Sequence, residues 1–294
     1  RNHSSAASDV YKRQATSYGT NGSNGIVFIE TRKGQIGLDR PTFNFKKTTG
    51  INSPNFQVDK GFQNRDLFHS LLSDGSIDDN YFSMSGGSYR FRHFLSFSSR
   101  NEEGMIIWKN RNNFKRNTFR ANFDFSLLDN LTMSLNSSYS TIDATMPPSD
   151  NHIYGVIYNT LVAYSPWQES DSSSISKLGI RFDSKRLVAS ANMKYYPLRN
   201  EARLGLNTLK LYATVGIDNS DRGNSNLFPA GYNYPLFNGG FKALENASER
   251  NTIVDLGASH SLNFGIVKTT TSFASQFYDK PVSYTHLTLP TNGC

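Results

Sequence analysis

The sequence of 294 residues has one cysteine, Cys294, so it lacks the several thiols that a disulfide framework or a thiolate metal site would need. Long apolar runs are also missing, and no stretch approaches the roughly 18 uninterrupted apolar residues of a membrane helix. Helix formers such as Ala, Glu and Leu do not dominate. Aromatic residues reach 13%, with 21 Phe and 15 Tyr beside many Ser, Asn, Thr and Gly. This mixture favours strands and turns.

The two ends of the chain are related through their coding DNA. One permitted back-translation of Ser4–Gln14, read as its reverse complement, encodes Val282–Thr291. The string also resembles a transposase adapter used to prepare sequencing libraries. We therefore expect residues 1–14 and 282–294 to be adapter-derived, and residues 15–281 to be an internal fragment of a longer gene. Removing Arg1, Lys12, Arg13 and Asp9 takes 31 basic residues to 28 and 24 acidic residues to 23, so the formal charge falls from +7 to +5.

Apolar and polar residues alternate along most of the remaining chain. In Thr118–Leu127, for example, Phe119, Phe123 and Phe125 oppose Arg120 and Asp124. This period of two is typical of strands that have one apolar and one polar face. It predicts the strands Pro41–Gly50, Tyr81–Gly86, Tyr89–Ser98, Thr118–Leu127, Leu131–Thr141, Leu187–Tyr195, Leu209–Ile217, Thr252–Ala258 and Leu262–Phe277.

Three features of these strands favour a membrane barrel. They run to about 10–14 residues, longer than most soluble strands. The tight turn Asp129-Asn130 alternates with long polar connections, Thr145–Ser149 and Asn219–Asn246. Aromatic residues near strand ends would form a girdle at the lipid boundary: Tyr89, Phe119, Tyr139, Tyr195, Tyr196 and Tyr212. The fold class predicted is all-β, part of a large transmembrane antiparallel β-barrel. A soluble or surface β-sandwich, acting as a binding or adhesin module, stays open as the alternative.

The most specific motif is Ala15–Gly34, a Gly/Asn-rich turn cluster that feeds the short apolar strand Gly25–Arg32. It is not a phosphate-binding loop, because no Gly-Lys-Ser/Thr follows Gly25 and the strand comes after the loop. As a whole it resembles the end of the plug domain of SusC/RagA-type TonB-linked, or TonB-dependent, outer-membrane receptors. The matched positions of this plug-end motif include Tyr18, Gly19, Asn24, Gly25, Thr31, Lys33 and Gly34. Asn80–Gly104 and Arg116–Asp124 are similar to early barrel strands of the same family.

The resemblance implies a domain organisation and a function. Residues 15–36 would be the end of the plug, and residues 37–281 the N-terminal part of an incomplete barrel of about 22 strands. Such receptors lie in the outer membrane of Gram-negative bacteria, in contact with its lipid. They import oligosaccharides or peptides with energy from TonB, which contacts an N-terminal segment absent here. A SusD-like lipoprotein forms their lid, and a fragment would not transport alone.

Two groups of residues are candidates for the site. Arg90, Arg92 and Arg120 are predicted to face the lumen and contact carboxylates of the plug. Exposed aromatic side chains in loops can stack on sugar rings, which makes ligand candidates of Trp108, Trp167, Tyr232 and Tyr234. A local helix is predicted at Ile153–Tyr164, from its apolar i, i+3, i+4 spacing.

The sequence gives little indication of a catalytic site, a metal site or a nucleic-acid-binding surface. The histidines at 69, 93, 152 and 260 lack zinc-ligand spacing, and Glu102-Glu103 reads as a solvated turn beside Gly104. Basic residues alternate with acidic ones and form no stripe, which argues against a nucleic-acid partner. We therefore expect no enzyme activity and no cofactor.

Overall fold

The computed structural model describes residues 32–34, 38–55, 65–109, 112–147, 179–200, 207–228, 240–264 and 267–290. The chain divides into two compact units, Arg1–Arg32 and Lys33–Cys294. All described residues except Arg32 belong to the second unit.

The second unit contains one sheet of ten antiparallel strands. Each of the first eight strands pairs with the next along the chain, which is the topology of successive hairpins, and the tenth strand pairs with the eighth. The strands are β1 (Leu38–Asn52), β2 (Gly75–Gly87), β3 (Phe91–Glu103), β4 (Asn113–Leu128), β5 (Leu131–Met146), β6 (Gly179–Asn200), β7 (Asn207–Phe228), β8 (Phe241–Phe264), β9 (Val267–Asp279) and β10 (Val282–Pro290). A short helix, α1 (Arg65–Ser70), precedes β2. The predicted all-β antiparallel architecture is confirmed.

The connections differ in length between the two rims of the sheet. One rim carries the short connections 88–90, 129–130, 201–206 and 265–266. The opposite rim carries the long connections 53–74, 104–112, 147–178 and 229–240. Short turns and long loops therefore alternate as the sequence predicts. Among the described residues, no helix has the length and apolarity that crossing a bilayer would require.

The strands are longer than predicted, reaching 24 residues in β8. The predicted polar connections Thr145–Ser149 and Asn219–Asn246 are therefore wrong in part, because β5 continues to Met146, β7 to Phe228, and β8 begins at Phe241. Both faces of the sheet are polar in these extensions, so the alternation that marks a strand in the sequence is lost. Backbone pairing continues nonetheless, supported by cross-strand ion pairs such as Arg222–Glu249 at 3.1 Å.

Two further boundaries differ from prediction. Leu262–Phe277 is not one strand, because β8 ends at Phe264 and pairs there with Val267 of β9. The apolar alternation runs through this hairpin and conceals the turn. Tyr89 lies in the connection before β3 and not within a strand.

The strand β10 consists of residues that the DNA relationship attributes to an adapter. It pairs with Phe241–Glu249 of β8, beyond the stretch of β8 that pairs with β9. Pairing with an open sheet edge uses main-chain groups that almost any sequence supplies. The pairing of β10 therefore neither supports nor contradicts an adapter origin for these residues, and that origin stays a prediction.

Candidate functional site

Directly paired residues of neighbouring strands point to the same side of a sheet. Because apolar and polar residues alternate along the strands and are paired in register, the sheet has one mainly apolar face and one polar face. An unbroken row of aromatic side chains crosses β1 to β5 on the apolar face, and each member is paired with the next. The row consists of Phe45, Phe82, Phe97, Phe119 and Tyr139. These side chains are between 44% and 68% exposed, so no described element covers them.

This aromatic row marks a chemical boundary on the apolar face. Two residues further along each strand, towards the long connections, the same face carries Lys47, Asn80, Ser99, Asn117 and Thr141. On the other side of the row the face is mostly apolar as far as the short turns, through residues such as Leu95 and Met133, with His93 and Ser137 as polar exceptions. Phe119 and Tyr139 therefore lie at the kind of polar–apolar boundary that the predicted girdle requires, and their contact with lipid stays a prediction.

The apolar band shifts in register from strand to strand. The aromatic row continues into Leu187 of β6, but the next two positions are Asn219 of β7 and Arg250 of β8. On those strands the apolar residues, such as Val215 and Val254, lie closer to the short turns. A band that crosses successive strands obliquely is expected when strands are tilted, as they are in barrels.

Tyr212 contradicts the predicted girdle. It is paired with Lys194 on one side and Gly257 on the other, which places it on the polar face. The sequence misleads here because Leu209, Leu211 and Ala213 carry the apolar alternation, and Tyr212 falls between them.

Arg92 and Arg120 both lie on the polar face, whereas Arg90 occupies the exposed 88–90 turn. Arg92 forms an ion pair with Asp124 of β4 at 3.3 Å. This carboxylate partner belongs to the neighbouring strand, and the predicted contact with carboxylates of the plug stays a prediction. Arg120 is exposed and paired in the sheet with Ser96 and Ser138, and it has no ion pair with any described residue.

A depression on the polar face brings together residues of β1 to β4. It has a volume of about 230 Å³, and its lining includes Lys46, Asp79, Tyr81, Ser98, Arg100 and Arg116. Sequence reasoning missed this group. Each residue shows only as a polar position in its own strand, and the register of four strands is needed to bring them together.

The plug-end motif is described only at its end. Tyr18, Gly19, Asn24, Gly25 and Thr31 lie outside the described residues. Lys33 is exposed and Gly34 is buried. A Cβ atom on Gly34 would stand 2.6 Å from the carbonyl oxygen of Gly86 and 2.6 Å from both the amide nitrogen and the carbonyl oxygen of His93. Gly34 thus lies directly on the backbone of the β2–β3 hairpin, where no larger residue fits.

Trp108 lies half-buried in connection 104–112, on the rim of long loops. This connection is bonded to the segment after α1, since the Ile107 N–H donates to the Leu71 carbonyl at 3.0 Å and the Ser73 N–H to the Met105 carbonyl at 2.9 Å. The two connections therefore support each other beside Trp108. The other ligand candidates Trp167, Tyr232 and Tyr234, and the predicted helix Ile153–Tyr164, lie outside the described residues.

Glu102 and Glu103 end β3 and do not form the predicted turn. Neighbouring residues of a strand point to opposite faces, so their carboxylates cannot act on one substrate together. Glu102 accepts hydrogen bonds from Arg100 and Asn52, and Glu103 accepts one from Ser76. Within the described part of the chain, no group of three or more His, Cys, Asp or Glu residues could hold a metal ion.

The chain is similar to a TonB-dependent receptor in sequence and to a peptide importer in structure. No protein-family model matches it. The curated relative TonB-dependent receptor P3 of Formosa agariphila is 23% identical over 138 residues, covering 40% of this chain and 13% of the relative. The RagAB peptide importer in its closed-closed state has a TM-score of 0.63 at 15% identity, and the RagAB peptide transporter has 0.59 at 14%. Each of these two structural matches covers 92% of this chain and 38% of the chain it matches. The fold is that of a segment of a TonB-dependent receptor barrel.

Proposed function

We propose that this chain is part of a SusC/RagA-type outer-membrane receptor that imports oligosaccharides or peptides with energy supplied by TonB. The observation that carries the proposal is the apolar face, whose aromatic side chains are exposed and end in a sharp polar boundary. Bilayer lipid is the partner that stabilises such a face, because water does not. The similarity to TonB-dependent receptor P3 and to the RagAB importer supports the import function.

The polar face supports the same function. In a barrel whose apolar face meets lipid, the opposite face lines the lumen. Arg92, Arg120 and the depression around Arg116 would then lie along the import route. Residues 15–36 would be the end of the plug, and Gly34, near its end, lies against the β2–β3 hairpin.

The β-sandwich alternative requires a second sheet over the apolar face. The described strands belong to one sheet, and Phe45 and Phe97 on its apolar face are 68% and 45% exposed. Sandwich cores bury such side chains between two sheets. The arrangement therefore favours the membrane protein over a soluble adhesin module.

The partners proposed follow from the receptor class. TonB would supply the energy, and a SusD-like lipoprotein would cover the rim of long connections. Trp108 and the two bonded connections around it stand at that rim, where both the lid and the ligand would meet the receptor.

The test is fractionation and growth of the Gram-negative bacterium that carries the full-length gene. We expect the protein in the outer-membrane fraction, released only by detergent. Deleting the gene, or depleting TonB, should abolish growth on one oligosaccharide or peptide mixture as sole carbon source and leave growth on a monosaccharide unchanged.

Two results would contradict the proposal. Recovery of the full-length protein in the periplasm or cytosol without detergent would exclude the membrane barrel. Outer-membrane location together with unchanged growth and uptake on every oligosaccharide and peptide mixture would exclude the import function while leaving the fold intact.

A further inference from the structure

The depression on the polar face has an unusual charge arrangement. Arg100 of β3 and Arg116 of β4 are directly paired, so their Cα atoms are separated by about 5 Å and their side chains point to the same side. Two like charges placed directly opposite each other destabilise a sheet unless an anion lies close by. The stability of this pairing therefore depends on the anions close to the two guanidinium groups.

One of the two guanidinium groups has an internal anion. Arg100 donates to Glu102 from both Nε and Nη2, the latter at 2.7 Å. Glu102 lies on the same strand and the same face, and it also accepts a hydrogen bond from Asn52. The charge of Arg100 is thus compensated within the sheet.

Arg116 has no such partner among the described residues, and neither does Lys46 at the other end of the depression. The remaining carboxylate of the lining is Asp79, which is paired with Arg100 on the side away from Arg116. Since Asp79 and Arg116 lie two strands apart, their backbones are separated by about 10 Å. Arg116 therefore presents an uncompensated guanidinium to the depression.

Neutral hydrogen-bond donors lie between the two unpaired cations. Tyr81 of β2 and Ser98 of β3 are directly paired on the same face, one row of the sheet from Arg100, and their hydroxyl groups line the depression. A volume of about 230 Å³ is large enough for a sugar ring or an amino-acid side chain.

We propose that this depression is a subsite for a carboxylate group of the imported ligand, bound by Arg116 with help from Lys46, Tyr81 and Ser98. A guanidinium presents a planar fork of donors that matches a carboxylate, and such charge-assisted pairs are about twice as strong as neutral hydrogen bonds. The inference rests on the proposed import function and narrows it to acidic cargo. The carboxylate comes either from an acidic oligosaccharide or from a peptide.

The experiment uses the full-length receptor in detergent and two ligand pools. One pool is a random hexapeptide mixture and the other is a mixture of oligogalacturonides. Each pool is offered as the free acid and as its methyl ester, which removes the charge and keeps the rest of the molecule. Equilibrium dialysis followed by mass spectrometry gives the fraction of each form that the receptor retains.

We expect the receptor to retain the free-acid form of one pool about tenfold better than its ester, which corresponds to about 1.4 kcal/mol. Which pool shows the preference identifies the source of the carboxylate. Arg116→Gln should abolish the preference without changing retention of the ester. Lys115→Gln is the matched control, because Lys115 is the adjacent residue on the opposite face and is exposed. It should leave the preference unchanged.

The other outcomes overturn the inference in distinguishable ways. Equal retention of acid and ester would show that the carboxylate does not contribute to cargo binding. This result would exclude the proposed subsite and leave the import function untouched. An acid preference that survives Arg116→Gln places the carboxylate elsewhere. A lower unfolding midpoint of Arg116→Gln with unchanged retention shows that Arg116 binds a carboxylate of the receptor itself. Retention of neither pool in any form counts against the import function and the subsite together.

Discussion

Tyr212 covers Gly257 across the polar face of β7 and β8. The two residues are directly paired, and a Cβ atom on Gly257 would overlap the phenol ring of Tyr212. The Nζ atom of Lys210, on the same strand and face, stands 5.2 Å from the centre of the ring. Glycine is thus the residue that allows the ring to lie flat along the sheet beside a cation.

We predict that Gly257→Ala displaces the Tyr212 ring and destabilises the protein. The ring would lose its packing against the backbone at Gly257 and its contact with Lys210, at a cost of about 1 kcal/mol. Denaturant unfolding in detergent micelles, followed by near-ultraviolet circular dichroism, measures the effect. Gly216→Ala is the control, because its Cβ would meet ordinary contacts at 3.9 Å from the Ala189 carbonyl oxygen and 4.0 Å from Ile253. Equal effects of both substitutions would contradict this account.

Gly34 should tolerate no side chain. Its missing Cβ would stand 2.6 Å from three backbone atoms of Gly86 and His93, and backbone in a paired hairpin cannot move aside. We expect Gly34→Ala to separate residues 32–34 from the hairpin and to cost about 1–3 kcal/mol of stability. Hydrogen exchange of the amides of residues 85–93 should become faster.

Gly50→Ala provides the comparison for Gly34→Ala. The Cβ of that variant would approach the side chain of Ile77 no closer than 3.8 Å, so stability and exchange should stay close to wild type. Unchanged exchange in Gly34→Ala would show that the segment is not held by this contact.

The sequence predicts the strands of this structure through one signal, the alternation of apolar and polar residues with a period of two. Alternation identifies the strands and their faces wherever one face is apolar, as in Phe119 and Arg120 of β4. It fails in the outer halves of β7 and β8, because both faces are polar there and residues such as Asp221 and Arg250 stabilise the strands through cross-strand ion pairs. It also cannot supply register, so neither the Arg100–Arg116 pair nor the Tyr212–Gly257 pair is visible before the strands are aligned.

The ion pair of Arg92 and Asp124 should contribute more than the exposed ion pairs of the sheet. The side chain of Asp124 is only 12% exposed, and it also accepts a hydrogen bond from the Ser134 hydroxyl at 2.6 Å. Asp124→Asn leaves the Arg92 charge without its partner, and we expect a loss of about 1–2 kcal/mol, below the 3–5 kcal/mol of a fully buried pair.

The control for Asp124→Asn is Asp78→Asn, which breaks the ion pair with Lys47. Both side chains of that pair are well exposed, at 39% and 52%, so the loss should be below about 1 kcal/mol. Adding Arg92→Gln to Asp124→Asn should restore part of the lost stability in chemical unfolding. A double variant whose loss equals the sum of the losses of Asp124→Asn and Arg92→Gln would show that the two side chains are not coupled.

Lysine substitutions test which face meets lipid, because the cost of a charge depends on its depth in the bilayer. Val215 lies on the apolar face, 47% exposed and closer to the short turns than the aromatic boundary row. Val215→Lys should cost about 2–4 kcal/mol in lipid bilayers, and Phe119→Lys, in the boundary row, about 1 kcal/mol. Thr118→Lys places the same charge at the adjacent position on the polar face, between Arg116 and Arg120, and should cost at most about 1 kcal/mol from like-charge repulsion. The unfolding free energy in bilayers gives the order of the three variants. If Thr118→Lys proved as costly as Val215→Lys, the assignment of the apolar face to lipid would be wrong.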